Sequence, residues 1–258
     1  DSAITGAKFE ETMARTEAIM STNGPAMLDR TVQTKALNDQ VRALGQTTVF
    51  TASEVATGLQ QLGMAGFSAN DAMTALPATL TLANIANVDM SRSADIASNV
   101  LRTFGKAAKD LRSVVDLMAT AGSNSNTDIE QLANALSYAG PAAQTAGISI
   151  EETVAAIETL ANSGIKASRS GSALRRLFVS ILNPTKKGKE VIDKYGLSMV
   201  DAEGKTRSLV DIVNQLKKAL DGLDGPEKLA AVQNLVGVYA TSPVAALIAN
   251  AGKMATFT

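Results

Sequence analysis

The stretch SIEETVAAIETLANSG, residues 149–164, contains every signal of one short helix. Ser149 precedes Glu152 by three positions, the spacing of a capping box, in which each side chain accepts a hydrogen bond from the other residue's backbone N–H. Apolar residues then recur on one helical face, namely Val154, Ile157, Leu160 and Ala161. Gly164 follows as a stop signal, so the stretch predicts an amphipathic helix over 150–162.

Similar start and stop signals occur along the whole chain. Capping boxes or their acidic variants begin at Thr51, Ser68 and Thr127. Stop signals are predicted at Gly63 or Gly66, Gly122, Gly140 and Gly164. The predicted helices span roughly 3–20, 27–44, 52–64, 69–86, 91–104, 108–121, 128–138, 150–162, 168–182, 186–195, 208–222, 226–236 and 242–251. Pro77 lies inside the fourth and is expected to kink or split it.

One segment departs from the helical pattern. Residues 197–208 contain the acidic turn Asp201-Ala-Glu-Gly204, and Gly204 can supply the positive φ that a tight turn needs. We expect a small hairpin or ordered turn here. The fold class predicted is all-α, a compact multi-helix domain of about 10 to 13 short helices with this one exception.

The composition of the 258 residues excludes several chemistries. The chain has no Cys and no His, which excludes disulfides, thiolate or imidazole metal sites and Ser-His-Asp triads. Only 3% of the residues are aromatic, which suits closely packed helices better than a β-sandwich. The net charge of -1 gives no global signature of polyanion binding.

Two stretches differ in charge from the rest. Residues 1–45 mix both signs and contain few glycines, which is typical of an exposed helical pair or the end of a long helical region. Residues 46–258 are expected to form the helical core domain. The stretch from 43 to 88 has only two charged residues, Glu54 and Asp71, so it either packs against protein or meets an apolar partner. A membrane-inserting, pore-forming helical module is therefore the alternative function.

No motif in the sequence points to catalysis, a cofactor or a metal. The adjacent carboxylates Glu151 and Glu152 point about 100° apart on a helix and lie in its first turn, where they complement the helix dipole. The glycines of residues 140–147 are not followed by the Lys of a phosphate-binding loop. The turn at 201–204 lacks the further oxygen ligands of a calcium loop. We predict no enzyme activity and no cofactor.

The strongest local charge feature is the segment 166–194. Its eight basic and two acidic residues give a net charge of +6. The segment is either a solvated helix face or a contact for an acidic partner, whether a protein surface, nucleic-acid phosphate or lipid headgroups. The possible contact residues are Lys166, Arg169, Arg175, Arg176, Lys186, Lys187 and Lys189.

Several blocks of sequence follow one another in a fixed order along the chain. The first block runs from Gly58 to Ala83 and includes GLQQLGMAGFSANDAM. The later blocks are residues 94–105, 127–136, 147–157, 164–175, the turn 201–204 with the helix 209–216, and 235–237. In this order the blocks resemble the core region of bacteriophage tail tape measure proteins. The resemblance spans about residues 49–250, and it rests on the order of the blocks, since no single block is specific.

The resemblance implies a structural virion protein without catalytic residues in this region. Such proteins occupy the tail tube, set its length during assembly and leave it at infection to assist genome delivery. The partners that it implies are tail tube protein, tail assembly chaperones and tail tip proteins, with a homotrimer in the tail and transient contact with DNA or host membrane. Synthesis in the host cytoplasm and residence in the tail lumen or tip are implied too.

The spacing of the helix signals indicates which part of such a protein this chain represents. An extended helical ruler would need few interruptions, because an α-helix rises 1.5 Å per residue without a break. Here caps and glycines recur every ~15–20 residues, as in compact helices. We therefore expect a globular helical domain attached to the ruler.

Overall fold

The computed structural model describes residues 2–23 and 30–254, and it confirms the all-α class. The helices of the first part are α1 (Ser2–Met20), α2 (Arg30–Thr47), α3 (Ala52–Met64), α4 (Ala69–Ala86), α5 (Met90–Thr103) and, after a 3-10 turn at Ala108–Asp110, α6 (Leu111–Asn124). Those of the second part are α7 (Ile129–Ala146), α8 (Ile150–Asn162), α9 (Ala167–Leu182), α10 (Lys186–Lys194), α11 (Leu209–Leu220), α12 (Gly225–Val236), α13 (Val238–Ala249) and α14 (Ala251–Met254).

The chain forms two compact units, Asp1–Asp116 and Leu117–Thr258, and the boundary falls within α6. In the first unit α1 and α2 both pack against α3. They bury Phe9, Met13 and Val41 on their inner sides, while their charged residues stay exposed. The predicted boundary between residues 45 and 46 stays a prediction. Part of the helix predicted at 27–44 lies outside the described residues.

Side-chain caps begin most of the helices, because the first backbone N–H groups of a helix have no partner within it. At α3 the Thr51 hydroxyl accepts from the Glu54 N–H, and the Glu54 carboxylate accepts from the Thr51 N–H at 2.7 Å. These bonds from Thr51 hold the pKa of Glu54 below its usual value. Ser149 and Glu152 form the same box at α8. The predicted cap at Thr127 is wrong by one residue, since the Asp128 carboxylate accepts from the Gln131 N–H at 2.7 Å.

Two predicted helix ends are wrong. α6 continues past Gly122 to Asn124, and α7 continues through Gly140 and Pro141 to Ala146. Pro141 has no N–H, so the Ser137 carbonyl lacks the donor that a helix would normally supply. Both residues are exposed, and water can therefore replace the missing bond. α7 ends at Gly147, where φ is +70°, in the left-handed conformation that glycine favours.

α4 is not split at Pro77. The helix runs without interruption from Ala69 to Ala86. Pro77 has no N–H to donate to the carbonyl of Met73, and a side chain from α2 supplies the donor instead. A contact between helices thus satisfies the Met73 carbonyl, and the cost of the missing hydrogen bond, on which the predicted split depended, is avoided.

In the second unit α7 and α9 cross closely at Gly171. A Cβ atom placed on Gly171 would lie 2.9 Å from the Ala135 Cα atom and 2.9 Å from the Tyr138 Cβ atom, and closer still to the Ala135 carbonyl oxygen. Real Cβ atoms do not approach backbone so closely. The crossing therefore requires glycine at this position, and it fixes the orientation of α9.

The predicted turn at 197–208 is confirmed as a short antiparallel pairing of Val200 with Thr206. Gly204 adopts φ +80°, as its place in the turn requires. The Asp201 carboxylate accepts from the backbone N–H groups of Glu203 and Lys205 at 3.0 and 2.8 Å. These bonds give the acidic residue of this turn a structural role.

Candidate interaction surface

Of the two adjacent carboxylates at the start of α8, only Glu152 bonds to the backbone of the described residues. One oxygen of Glu152 accepts from the Ser149 N–H, and the other accepts from the Leu209 N–H of α11 at 2.7 Å. Both oxygens of Glu152 are thus occupied by backbone donors, while Glu151 is exposed. The pair does not converge on a common point. Among residues 2–23 and 30–254 there is also no group of three or more side chains placed to hold a metal ion.

The basic segment 166–194 spans α9 and α10, and its cations fall into two groups. Lys166 precedes α9 and is half-buried. Its Nζ donates a hydrogen bond to the Asn126 side-chain oxygen Oδ1 at 2.8 Å. It therefore belongs to the local structure. The other predicted contact residues are exposed, on α9 at Arg169, Arg175 and Arg176, and on α10 at Lys186, Lys187 and Lys189.

The arginines of this segment differ from most of the other arginines whose side chains the structure describes, because they have no carboxylate partner. Arginines elsewhere pair with a carboxylate one turn away or on a neighbouring helix, as in Arg15–Glu11, Arg42–Glu10, Arg92–Asp95, Arg112–Asp116 and Arg207–Asp211. Arg102 instead donates to the Ala65 carbonyl. Within the described residues no carboxylate pairs with Arg169, Arg175 or Arg176. The charges of these three arginines are thus left unpaired within the described part of the chain.

Exposed apolar side chains lie beside these arginines. On the outer face of α9, Val179 is 50% and Leu182 44% exposed, although the opposite face of the helix is buried. At the start of α13, Val238 is 66% and Tyr239 85% exposed. Sequence reasoning missed these residues, because an apolar side chain in a helical pattern is ordinarily assigned to the core.

A sharp corner exposes Val238 and Tyr239. α12 and α13 meet at an angle of 117°, separated only by Gly237. Gly237 adopts φ +81° and ψ 164°, a region that is essentially restricted to glycine. The prediction that this helix begins at residue 242 is wrong, since α13 begins directly after the corner.

Arg176 joins the two exposed apolar stretches. Its guanidinium carbon lies 5.5 Å from the centre of the Tyr239 ring, within the range of a cation–π contact. Val179 and Leu182 follow on α9 within two helical turns. We call this surface the α9–α13 patch, defined by Arg175, Arg176, Val179, Leu182, Val238 and Tyr239.

No single helix among the described residues is both long and apolar enough to cross a bilayer. α12 and α13 reach the required length and apolarity only as a pair, which the Gly237 corner bends. The pore-forming alternative has no support from the comparisons with known proteins either.

Comparisons with known proteins place the chain in one family. Residues 38–237 match the family described as phage-related minor tail protein. The chain is 33% identical over 243 residues to the tape measure protein of Pneumococcus phage Dp-1, covering 94% of this chain and 20% of that protein. It is 26% identical over 223 residues to the probable tape measure protein of Escherichia phage P2, covering 85% of this chain and 27% of that protein. No solved structure matches the chain.

The two relatives are much longer than this chain. The chain spans about a fifth to a quarter of the length of the two tape measure proteins. The family model, in contrast, covers most of the chain, from within α2 to the Gly237 corner. The chain therefore belongs to the phage-related minor tail protein family.

Proposed function

We propose that the protein is a structural component of a phage tail, a tape measure protein that templates tail-tube length during assembly and is released at infection to assist genome delivery. The observation that carries this proposal is the match of residues 38–237 to the minor tail protein family, together with relatives named as tape measure proteins. The all-helical architecture is compatible with that role. The chain acts without catalysis and without a cofactor.

This chain acts as a folded domain beside the extended ruler. Stretched into one helix, 258 residues would measure about 390 Å. The described helices are instead at most 19 residues long, as in α1, and they pack around buried apolar side chains in two units. A folded domain of this kind serves attachment and recognition better than measurement.

Its partners are the other parts of the tail. We propose contacts with the tail tube protein, tail assembly chaperones and tail tip proteins, a homotrimeric arrangement in the tail, and transient contact with DNA or the host membrane. The protein is made in the host cytoplasm and resides in the tail lumen or at the tail tip of the virion. Membership in a family of tail proteins supports this set of partners.

The basic segment is the proposed contact for an acidic partner. Arg169, Arg175 and Arg176 have no carboxylate partner among the described residues, unlike the five arginines that form ion pairs elsewhere. Lys186, Lys187 and Lys189 are exposed on the following helix. Lys166 contributes to the local structure through Asn126 and adds its charge at the edge of the segment.

A nonsense mutation before residue 38 in the phage gene tests the proposed function. We expect particles without tails of uniform wild-type length in electron micrographs, and recovery when the intact gene is supplied in trans. Mass spectrometry of purified wild-type virions should detect peptides of this chain. Normal tails in the mutant, or virions without the protein, would overturn the proposal.

A further inference from the structure

We infer that the α9–α13 patch docks an acidic amphipathic helix of a partner protein. The inference deepens the proposed function and rests on it for the role of the basic segment. It goes further in two respects. The contact includes an apolar component, and the class of partner is a protein helix with carboxylates beside an apolar stripe.

The patch needs a partner that offers both negative charge and apolar surface. Arg175 and Arg176 carry unpaired charge, while Val179, Leu182 and Tyr239 leave apolar groups in water. Together the exposed apolar side chains present a surface on the order of a few hundred Å², the size at which a patch on a soluble protein is often functional. Burial of this surface would add a salt-insensitive component to the charge contact.

Duplex DNA matches only half of this surface. Phosphates would neutralise the arginines and the lysines of α10, but the backbone of DNA offers no apolar group that buries Val179 and Leu182. One face of the Tyr239 ring is already covered by Arg176, which limits stacking with a base. DNA would therefore leave the exposed aliphatic side chains in water.

A lipid bilayer fits less well than a protein helix. Helices that lie in the membrane interface bury a broad apolar face, often rich in Trp, Phe and Leu. The broad apolar face of α9, which includes Leu174, Leu177 and Phe178, is buried in the protein core. Only Val179 and Leu182 of α9 remain to insert.

An acidic amphipathic helix provides both components in a suitable geometry. Arg175, Val179 and Leu182 extend over two turns of α9, about 10 Å, so a partner segment of two to three turns would cover them. Carboxylates flanking its apolar stripe would reach Arg175, Arg176 and, past Pro184, Lys186. The planar guanidinium group suits a carboxylate in particular, since it donates two parallel hydrogen bonds to it.

A photo-crosslinking amino acid in place of Tyr239 tests the inference in infected cells. We expect a crosslink to one defined protein segment, which mass spectrometry identifies and whose sequence is acidic with apolar residues at helical spacing. Replacement of Met64, which is 63% exposed at the end of α3 and is not part of the patch, with the same amino acid is the matched control and should not give this crosslink. A crosslink to DNA or lipid, a segment without acidic residues, or no crosslink would overturn the inference.

Binding of that crosslinked segment as a synthetic peptide to the purified chain separates the two components. Arg175→Gln with Arg176→Gln, and Val179→Ser with Leu182→Ser, should each weaken binding by about tenfold or more. Arg112→Gln should have no effect, because Arg112 pairs with Asp116 one turn along α6 and is not a residue of the patch. Circular dichroism of each variant must match wild type. Unchanged binding in either double variant would contradict the two-component contact.

The two proposals fail on different results. Normal tails in the nonsense mutant would refute the tail function even if Tyr239 contacts an acidic helix of another protein. A crosslink from the Tyr239 position to DNA in a phage whose tails depend on the protein would refute the docking inference alone.

Discussion

The Gln40 side chain of α2 donates a hydrogen bond from Nε2 to the Met73 carbonyl oxygen of α4, at 2.8 Å. In an uninterrupted helix the N–H of residue 77 would make that bond, but residue 77 is proline. Gln40 thus replaces the one backbone donor that Pro77 removes, and this explains how α4 continues through a proline. The same contact ties α2 to α4 within the first unit.

The effect of replacing Gln40 on the free energy of unfolding should therefore depend on Pro77. We expect Gln40→Leu to lower the free energy of unfolding by about 1–3 kcal/mol, since the Met73 carbonyl would lose its donor. In a Pro77→Ala background the new N–H can bond to Met73, so Gln40→Leu should cost less. Urea unfolding of the four proteins measures this coupling. The cost of Gln40→Leu should stay undiminished in a Pro141→Ala background, and an equal cost in the Pro77→Ala protein would refute the relationship.

The crossing of α7 and α9 should not tolerate a side chain at Gly171. Gly171→Ala would drive a Cβ atom into the backbone of Ala135, so we expect a loss of about 3 kcal/mol or a failure to fold. Gly6→Ala is the matched control, because nothing lies within 4 Å of its Cβ position and Ala favours a helix. Thermal unfolding should show a lower midpoint for the first variant and an equal or higher one for the second. Equal midpoints for Gly171→Ala and wild type would show that the helices cross elsewhere.

Removal of the Ser149 side chain, which caps α8, should lower stability more than removal of the Thr127 side chain, which was wrongly predicted to cap α7. Ser149→Ala removes the acceptor for the Glu152 N–H, and we expect it to lower the free energy of unfolding by about 0.5–2 kcal/mol. Thr127→Ala should have a smaller effect than Asp128→Ala, because Asp128 caps α7. Chemical unfolding of the three variants checks this order. Full stability in Ser149→Ala with loss of a binding activity would mean that Ser149 serves recognition.

These residues show which features the sequence could predict. A cap depends on contacts within four residues, so Thr51, Ser68 and Ser149 were identifiable from local spacing alone. The continuity of α4 depends on Gln40, which lies 37 residues away from Pro77, so local spacing could not reveal it. The charges of the α9–α13 patch were visible as a basic run. The apolar side chains of the patch could not be predicted in this way, because the Gly237 corner determines that Tyr239 points to solvent.

Glu158 makes stability depend on pH. It is only 3% exposed, and burial raises its pKa from 4.5 to about 7. The folded state therefore holds this proton more tightly than the unfolded state, so the contribution of Glu158 to stability declines as the pH rises from about 4.5 to about 7. The decline amounts to at most about 3 kcal/mol, from the size of the shift.

Glu158→Gln should remove this pH dependence, because glutamine does not ionise. The difference in free energy of unfolding between variant and wild type should grow in favour of the variant from pH 4.5 to pH 7 and then level off. Glu151→Gln, at an exposed position of the same helix, is the control and should show no such change. A constant difference across this pH range would show that Glu158 keeps an ordinary pKa in the folded protein.

The central claim is that this chain is a folded domain of a tail protein and does not measure tail length itself. An in-frame deletion of residues 129–254 in the phage gene, with tail lengths measured by electron microscopy, tests it most directly. Were these 126 residues an extended helix of the ruler, the deletion would shorten tails by about 190 Å. The account predicts that the tails that assemble keep their wild-type length. A uniform shortening near 190 Å would contradict it.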